Sequence, residues 1–302
     1  MVRGHQIVPQ HGRRVTDVLK GMLRPALMAA EGKHLVVADW AAIEARVTPW
    51  ASGAPSSKAK LDIFAKGEDV YKHNAAATFR VGYDDVTKDQ RQIGKVQELA
   101  CGFAGGVGAF SSMGRIYNIL LPEHESRKMV DAWRRANPWA VPYWQKLEQA
   151  YMAAMRNPNR EFTAGRVTYL FDKQHLWYAL PSGRVLCYPF ARFDEEGNIT
   201  YAKASWKPAA DAKEWPRARL WKGLACENIT QAAANDLLRY SLRRLEEEDL
   251  GVVLHVHDEI VLETAHPEEA AARLLKVMTT PPAWADGLPL DAEVATMQRY
   301  GK

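Results

Sequence analysis

Three consecutive polar residues, His257, Asp258 and Glu259, interrupt two apolar runs in the stretch VVLHVHDEIVLE, Val252 to Glu263. Val252, Val253, Leu254 and Val256 precede them and Ile260, Val261 and Leu262 follow, so β-branched runs of strand length predict a hairpin with the polar residues on its tight turn. Two adjacent carboxylates held there suit a divalent cation, which takes hard oxygen ligands. Asp and Glu also occupy turns for ordinary reasons of solvation and local hydrogen bonding. A second acidic site is needed to choose between the two.

KHLVVADW, Lys33 to Trp40, is a short apolar run ending in an acid, which predicts a buried strand delivering Asp39 at its C-terminal end. Glu44 follows among Ala41, Ala42, Ile43, Ala45 and Val47, on a turn or first helical turn just past that strand. A lone strand-end Asp is equally a cap or turn former. Paired with Asp258 on a neighbouring strand, it could bridge two divalent ions about 3.5–4 Å apart, an arrangement that serves phosphoryl transfer.

A third group lies in QRQIGKVQELACGFAGGVGAF, Gln90 to Phe110. On a helix, Arg91, Lys95, Leu99 and Phe103 fall at i, i+4, i+8 and i+12, a stripe about 18 Å long. Two cations, then an aliphatic, then an aromatic suit a nucleoside triphosphate lying along the helix, with its phosphates at Arg91 and Lys95 and its base near Phe103. A basic helix start followed by core contacts gives the same pattern. Gly102, Gly105, Gly106 and Gly108 end the helix and lack phosphate-loop spacing.

The elements that must position these residues follow from periodicity. Leu61 to Phe79 reads as helical after a loop at Ala54 to Ser57, and residues 122–156 as two helices broken at Asn137-Pro138, with Trp133, Trp139 and Trp144 in the core. Strands take over from Phe162 to Thr200, including a hairpin in LPSGRVLCYP, Leu180 to Pro189. Asp194 to Arg217 reads as a surface insertion. A long helix, Leu224 to Glu247, carries Asn228, Gln231 and Asn235 beside alanines; those amides could meet base acceptors in a minor groove, or the face could simply pack through its alanines. A helix opened by Pro267 and an alternating strand, Leu290 to Thr296, close the chain.

Composition bounds the class. The 302 residues, 47% hydrophobic and 25% charged, fit one large globular domain or two intimate ones. A net charge of +4 permits a polyanionic partner without demanding one. Cys101, Cys187 and Cys226 are odd in number and lack CxxC spacing, which argues against a disulfide framework or a zinc site and fits a reducing cytoplasm. No apolar run approaches membrane-spanning length, and the first ten residues lack the apolar core of a secretory signal.

Together the pieces resemble a known family. VADWAAIEAR, Val37 to Arg46, resembles motif A of the family A (DNA polymerase I-like) DNA polymerases; RQIGKVQELACGF, Arg91 to Phe103, resembles motif B; HVHDEIV resembles motif C, and the three stand in the family's order. DVYKHNAAATF, LPSGRVLCYP, ENITQAAAND and the closing LDAEV strand also resemble family segments, in wording most like bacteriophage members. The resemblance implies an α+β fold, a right-hand polymerase palm of antiparallel sheet and packed helices interrupted by helical fingers, with thumb and exonuclease absent. Its expected division is 1–60 for the first part of the palm, 61–160 for the fingers, and 161–302 for a β-insertion and the second part of the palm.

The resemblance also implies roles, residue by residue. Asp39 and Asp258 match the metal-binding aspartates, the carbonyl of Trp40 completes the shell for two magnesium ions, and Glu259 matches the acid beside the second aspartate. Glu44 matches the residue that blocks a ribose 2′-hydroxyl. Arg91 and Lys95 match the triphosphate clamps, with Lys95 also in the catalytic set, and Leu99 and Phe103 line the incoming nucleotide. Gln231 and His257 match residues near the minor groove and primer terminus, and Asn228 is the DNA-binding candidate beside the position where Glu227 replaces a groove-reading Asn. Leu99 departs from the Phe or Tyr of many members, and Glu227 stands where others have a groove-reading Asn.

The implied function is template-directed transfer of deoxynucleotides from dNTP to a primer 3′-hydroxyl on primer-template DNA. A two-metal nuclease or phosphohydrolase would use the same aspartates without the cationic helix, and a non-catalytic DNA-binding subunit would be expected to lack one of them. Only 38 residues precede Asp39, far fewer than a thumb and an exonuclease need. Two expectations follow: a truncated piece of a longer polymerase or, favoured, one product of a split enzyme whose missing parts lie on a separate polypeptide that docks near residues 1–30, where Val15, Val18, Leu19, Met22 and Leu23 form an apolar stripe.

Overall fold

The structure is a computed structural model, and it describes residues 19, 21–203 and 215–301. Along the chain, strand β1 (His34–Trp40) is followed by helices α1 (Ile43–Ser52), α2 (Lys58–Ala65), α3 (Val70–Phe79) and α4 (Lys88–Cys101). Helices α5 (Val107–Ile116), α6 (Glu123–Ala136) and α7 (Ala140–Arg156) come next. Strands β2 (Glu161–Ala164), β3 (Val167–Phe171), β4 (Leu176–Ala179) and β5 (Val185–Tyr188) lead to the short β6 (Arg192–Phe193), β7 (Ile199–Ala202) and β8 (Arg217–Arg219). The chain then forms α8 (Lys222–Glu247), β9 (Val252–Val256), β10 (Glu259–Thr264), α9 (Pro267–Thr279) and β11 (Ala292–Met297).

Two compact units divide these elements: residues 1–41, 238–280 and 291–302 form the smaller, and residues 42–237 with 281–290 the larger.

The smaller unit is built on an antiparallel sheet in the order β11-β1-β10-β9. β1 is central and its residues 35–38 are all buried, as expected for a β-branched run covered on both faces. Alternation sends Leu35 and Val37 into one cluster with Val261 and Tyr300. Trp40 leaves the opposite face, and its indole N–H donates to the carbonyl of Met278 on α9 at 2.8 Å. α9 buries Ala270, Leu274, Val277 and Met278, the i, i+4, i+7, i+8 spacing of a helix covering a sheet.

In the larger unit α3 and α4 approach closely because Gly94 has no side chain: a Cβ there would stand 2.1 Å from the carbonyl oxygen of Tyr71. Both helices start on strong caps. The Asp69 carboxylate accepts from the N–H groups of Tyr71 and Lys72, and Thr87 and Gln90 form a reciprocal capping box. Trp133, Trp139 and Trp144 are buried together, with the rings of Trp133 and Trp144 stacked at 6.3 Å. α7 packs on the sheet β2-β3-β4-β5, where Tyr151 meets Tyr169 edge-on at 6.0 Å.

Three local expectations need correction. The helix foreseen over residues 61–79 is two helices, because Gly67 adopts the left-handed φ of 69° and Asp69 caps a new start. α4 ends at Cys101, so Phe103 lies in the turn beyond it; Gly105 folds back until a Cβ would touch the carbonyl oxygen of Ala100 at 1.8 Å. The stretch expected as a surface insertion has ordered flanks, since β7 pairs with β6 and β8 and buries Ile199. Residues 204–214 lie outside the described residues, as do Val15 and Val18.

Candidate active site

The hairpin of the smaller unit is as tight as its sequence predicts. Val256 pairs with Glu259, leaving His257 and Asp258 as a two-residue turn. His257 adopts a φ of 55°, uncommon away from glycine, and stands exposed. Asp39 is directly opposite Glu259 in the β1–β10 ladder, and the N–H of Trp40 donates to the carbonyl of Asp258 at 3.4 Å. Asp39 and Asp258 therefore occupy neighbouring main-chain positions at one end of the sheet, both half-buried.

Glu259 is differently placed from the turn-tip position expected of it. It is the first residue of β10, 2% exposed, and its Oε1 accepts from the Tyr300 hydroxyl. The alternation of β10 puts it on the same face as Val261, beside the Leu35–Val37–Tyr300 cluster. Among the described residues, no three His, Cys, Asp or Glu side chains group as a metal cage.

In the larger unit the two faces of α4 are chemically distinct. Gly94, Gln97, Glu98 and Cys101 are buried against neighbouring helices, while Arg91, Lys95 and Leu99 run along the half-buried side. The Nε of Arg91 meets a carboxylate oxygen of Asp69 at 2.5 Å, and its guanidinium lies 5.3 Å from the centre of the Tyr71 ring. The Lys95 ammonium is 5.1 Å from the centre of the Tyr117 ring. Asp69, Tyr71 and Tyr117 thus hold the two cations, and sequence reasoning assigned none of them a role. The signal for Asp69 was its cap position just before a helix, one helix upstream of the Arg it reaches.

α8 gathers the remaining residues of this unit. Gly223 lets its first turn meet the loop after α4, since a Cβ there would stand 2.4 Å from the Phe103 carbonyl oxygen. Thr230 and Thr48 share a hydrogen bond at 3.0 Å and so register α8 against α1. Glu227, Gln231 and Asn235 form an exposed stripe at i, i+4 and i+8, and the Gln231 amide donates to the Glu44 carboxylate. Burial raises the pKa of Glu44, the Gln231 bond opposes that rise, and the Glu227 carboxylate adds to it. Asn228 is turned away from the stripe and donates to the Tyr188 hydroxyl at 3.0 Å.

The structure thus groups Asp39, Trp40, His257, Asp258 and Glu259 in one unit, and Glu44, Arg91, Lys95, Leu99, Phe103, Asn228 and Gln231 in the other. The first group offers hard oxygen donors at a strand end. The second offers paired cations and an acid bonded to an amide.

A family model described as DNA polymerase family A matches residues 6–302. The DNA polymerase of Bacillus phage SP02 is 34% identical over 96% of this chain and 44% of its own length. The thermostable DNA polymerase I of Thermus aquaticus is 26% identical over 90% of this chain and 27% of its own. The chain spans less than half the length of these curated relatives. Among solved structures, the POL domain of Pol1 from M. smegmatis, in complex with DNA primer-template and dNTP, shares the fold with a TM-score of 0.61 at 17% identity, covering 92% of this chain and 42% of that one. Matched by the family model almost from end to end, and carrying the acidic hairpin and the cationic helix in the expected elements, this chain belongs to DNA polymerase family A.

Proposed function

We propose that this chain is the catalytic part of a template-directed DNA polymerase, joining deoxynucleotides from dNTP to a primer 3′-hydroxyl. The observation that carries this reading is the placement of Asp39 and Asp258 at adjoining main-chain positions, in a chain that the family model matches over residues 6–302. In this reading the smaller unit is palm and helices α2 to α7 are fingers.

The donor set fits magnesium. Two half-buried aspartates and the Trp40 carbonyl are hard oxygens, too few to complete a shell, and magnesium ordinarily keeps waters and substrate phosphates as its other ligands. With two ions bound, that site supplies a Lewis acid that lowers the pKa of the primer hydroxyl and neutralises charge developing at the α-phosphate. The chain's own residues do the positioning. Arg91 and Lys95 hold the triphosphate along α4, Leu99 and Phe103 border the sugar and base, and Glu44 fills the space a ribose 2′-hydroxyl would need. His257 and Gln231 approach the primer terminus and its minor groove. The buried Glu259 is bonded to Tyr300, which suits a part in holding the hairpin in place.

Sequence is copied by base pairing, so the protein's contacts are with phosphate and shape. Leu23 is 70% exposed beside exposed Leu19, Met22, Leu27 and Met28, an apolar edge on which a thumb-bearing polypeptide would dock. Among the described residues no helix is long and apolar enough to cross a membrane; a host-cell cytoplasm is the compartment this reading implies. The test is incubation with primed DNA, dNTP and magnesium, with and without a thumb-bearing fragment. Template-dependent lengthening of the primer, improved by the fragment, is expected; shortening would identify a nuclease instead.

A further inference from the structure

The carboxylate of Glu44 is held from a different element. Glu44 lies in the first turn of α1, and the main chain there is already fixed: the Thr48 hydroxyl donates to the Glu44 carbonyl at 2.7 Å and meets Thr230 of α8 at 3.0 Å. The side chain is a separate matter, because Glu has rotatable bonds beyond its Cβ and loses substantial rotamer freedom when ordered. Two α8 residues one turn apart act on it in opposite directions. Gln231 donates its amide to the carboxylate, and Glu227 repels it.

We propose that Gln231 is a positioning residue for sugar selection, its amide holding the Glu44 side chain where it obstructs a ribose 2′-hydroxyl. The inference rests on the polymerase reading above. An obstruction discriminates only while it stays in place, since exclusion works by building a clash against the wrong ligand. Without the amide, Glu227 drives the Glu44 carboxylate away from α8, and the freed side chain swings out of the space it fills. The same amide lies on the exposed stripe of α8, so sugar selection and the groove-facing side of this helix share one group.

The experiment is primer extension by the full chain with a ribonucleotide and the matching deoxynucleotide competing at one template position. Both compete for the same enzyme–DNA complex, so their incorporation ratio cancels any loss of folded protein or of DNA affinity, and a purely structural defect would not move it. Gln231→Ala is expected to raise relative ribonucleotide incorporation about tenfold, the equivalent of about 1.4 kcal/mol. In a Glu44→Ala background the same change should alter the ratio by less than about twofold, because residues that act through one another are not additive. If wild type extends primers and Gln231→Ala leaves its ratio unchanged, or if the two substitutions multiply, the inference is overturned and the polymerase reading stands. If wild type shows no extension either alone or with a thumb-bearing fragment, both are overturned.

Discussion

Lys60 and Glu98 form an ion pair at 2.7 Å with both side chains only 6% exposed. The same Glu98 oxygen accepts from Asn74 Nδ2 at 2.7 Å and from the Trp133 indole at 2.9 Å. One carboxylate therefore ties the buried face of α4 to α2, α3 and α6. The adjoining side of α4 carries Arg91, Lys95 and Leu99, so this junction fixes the helix on which the proposed nucleotide contacts are displayed.

Removing one member of a buried, hydrogen-bonded charge pair leaves the other uncompensated and costs about 3–5 kcal/mol. Glu98→Ala should therefore destabilise the protein by about that much, seen as a large fall in the urea denaturation midpoint. The double variant Lys60→Met/Glu98→Leu should recover much of the loss, because both charges leave together. A single variant within about 1 kcal/mol of wild type would show that the pair is not buried in solution.

The three cysteines should differ sharply in reactivity. Burial pushes the thiols of Cys101 and Cys226 up to about 12, with Glu98 adding to the effect at Cys101. Cys187 is half-buried, its thiol raised by burial and by Asp172. The thiolate is the reactive form, so iodoacetamide at pH 8 should modify Cys187 first, more slowly than free cysteine, and reach the other two only in denaturant. Peptide mapping of partly alkylated protein checks this; equal labelling of all three in the native state would contradict it.

What the sequence makes legible is local. The alternation around His257 and Asp258, the apolar run ending at Asp39 and the i, i+4, i+8 stripe of Arg91, Lys95 and Leu99 each lie within one or two adjacent elements, and each is found where the pattern puts it. Distant partners decide the rest. Nothing in the sequence singles out Glu98, which Lys60, Asn74 and Trp133 surround, and Glu259 reads as a turn acid until Tyr300, far along the chain, takes its carboxylate inside. β6 and the start of β7 fall within the stretch read as strands, whereas β8 escapes notice because it is short and polar and returns from the far side of a long connection. Phe103 falls just past the end of α4 at Cys101, because the i, i+12 spacing carries the stripe beyond the glycines that stop the helix.

Leu99 is half-buried on α4, and in the proposed reading it borders the incoming sugar without an aromatic hydroxyl to offer there. The chain should therefore discriminate against dideoxynucleotides, and Leu99→Tyr should relax that preference. Competition between a dideoxynucleotide and its deoxy counterpart at one template position measures the ratio; no change would show that Leu99 does not face the sugar.

The central claim is that Asp39 and Asp258 carry the metal-dependent chemistry, and single-nucleotide incorporation on a primed template in magnesium tests it most directly. Wild type should add the templated nucleotide. Asp39→Ala and Asp258→Ala should each lower the rate about a thousandfold or more, the loss of several kcal/mol of transition-state stabilisation, while primer-template affinity stays largely intact. Incorporation within about tenfold of wild type by either variant, a change too small for the loss of a metal ligand, would contradict the account.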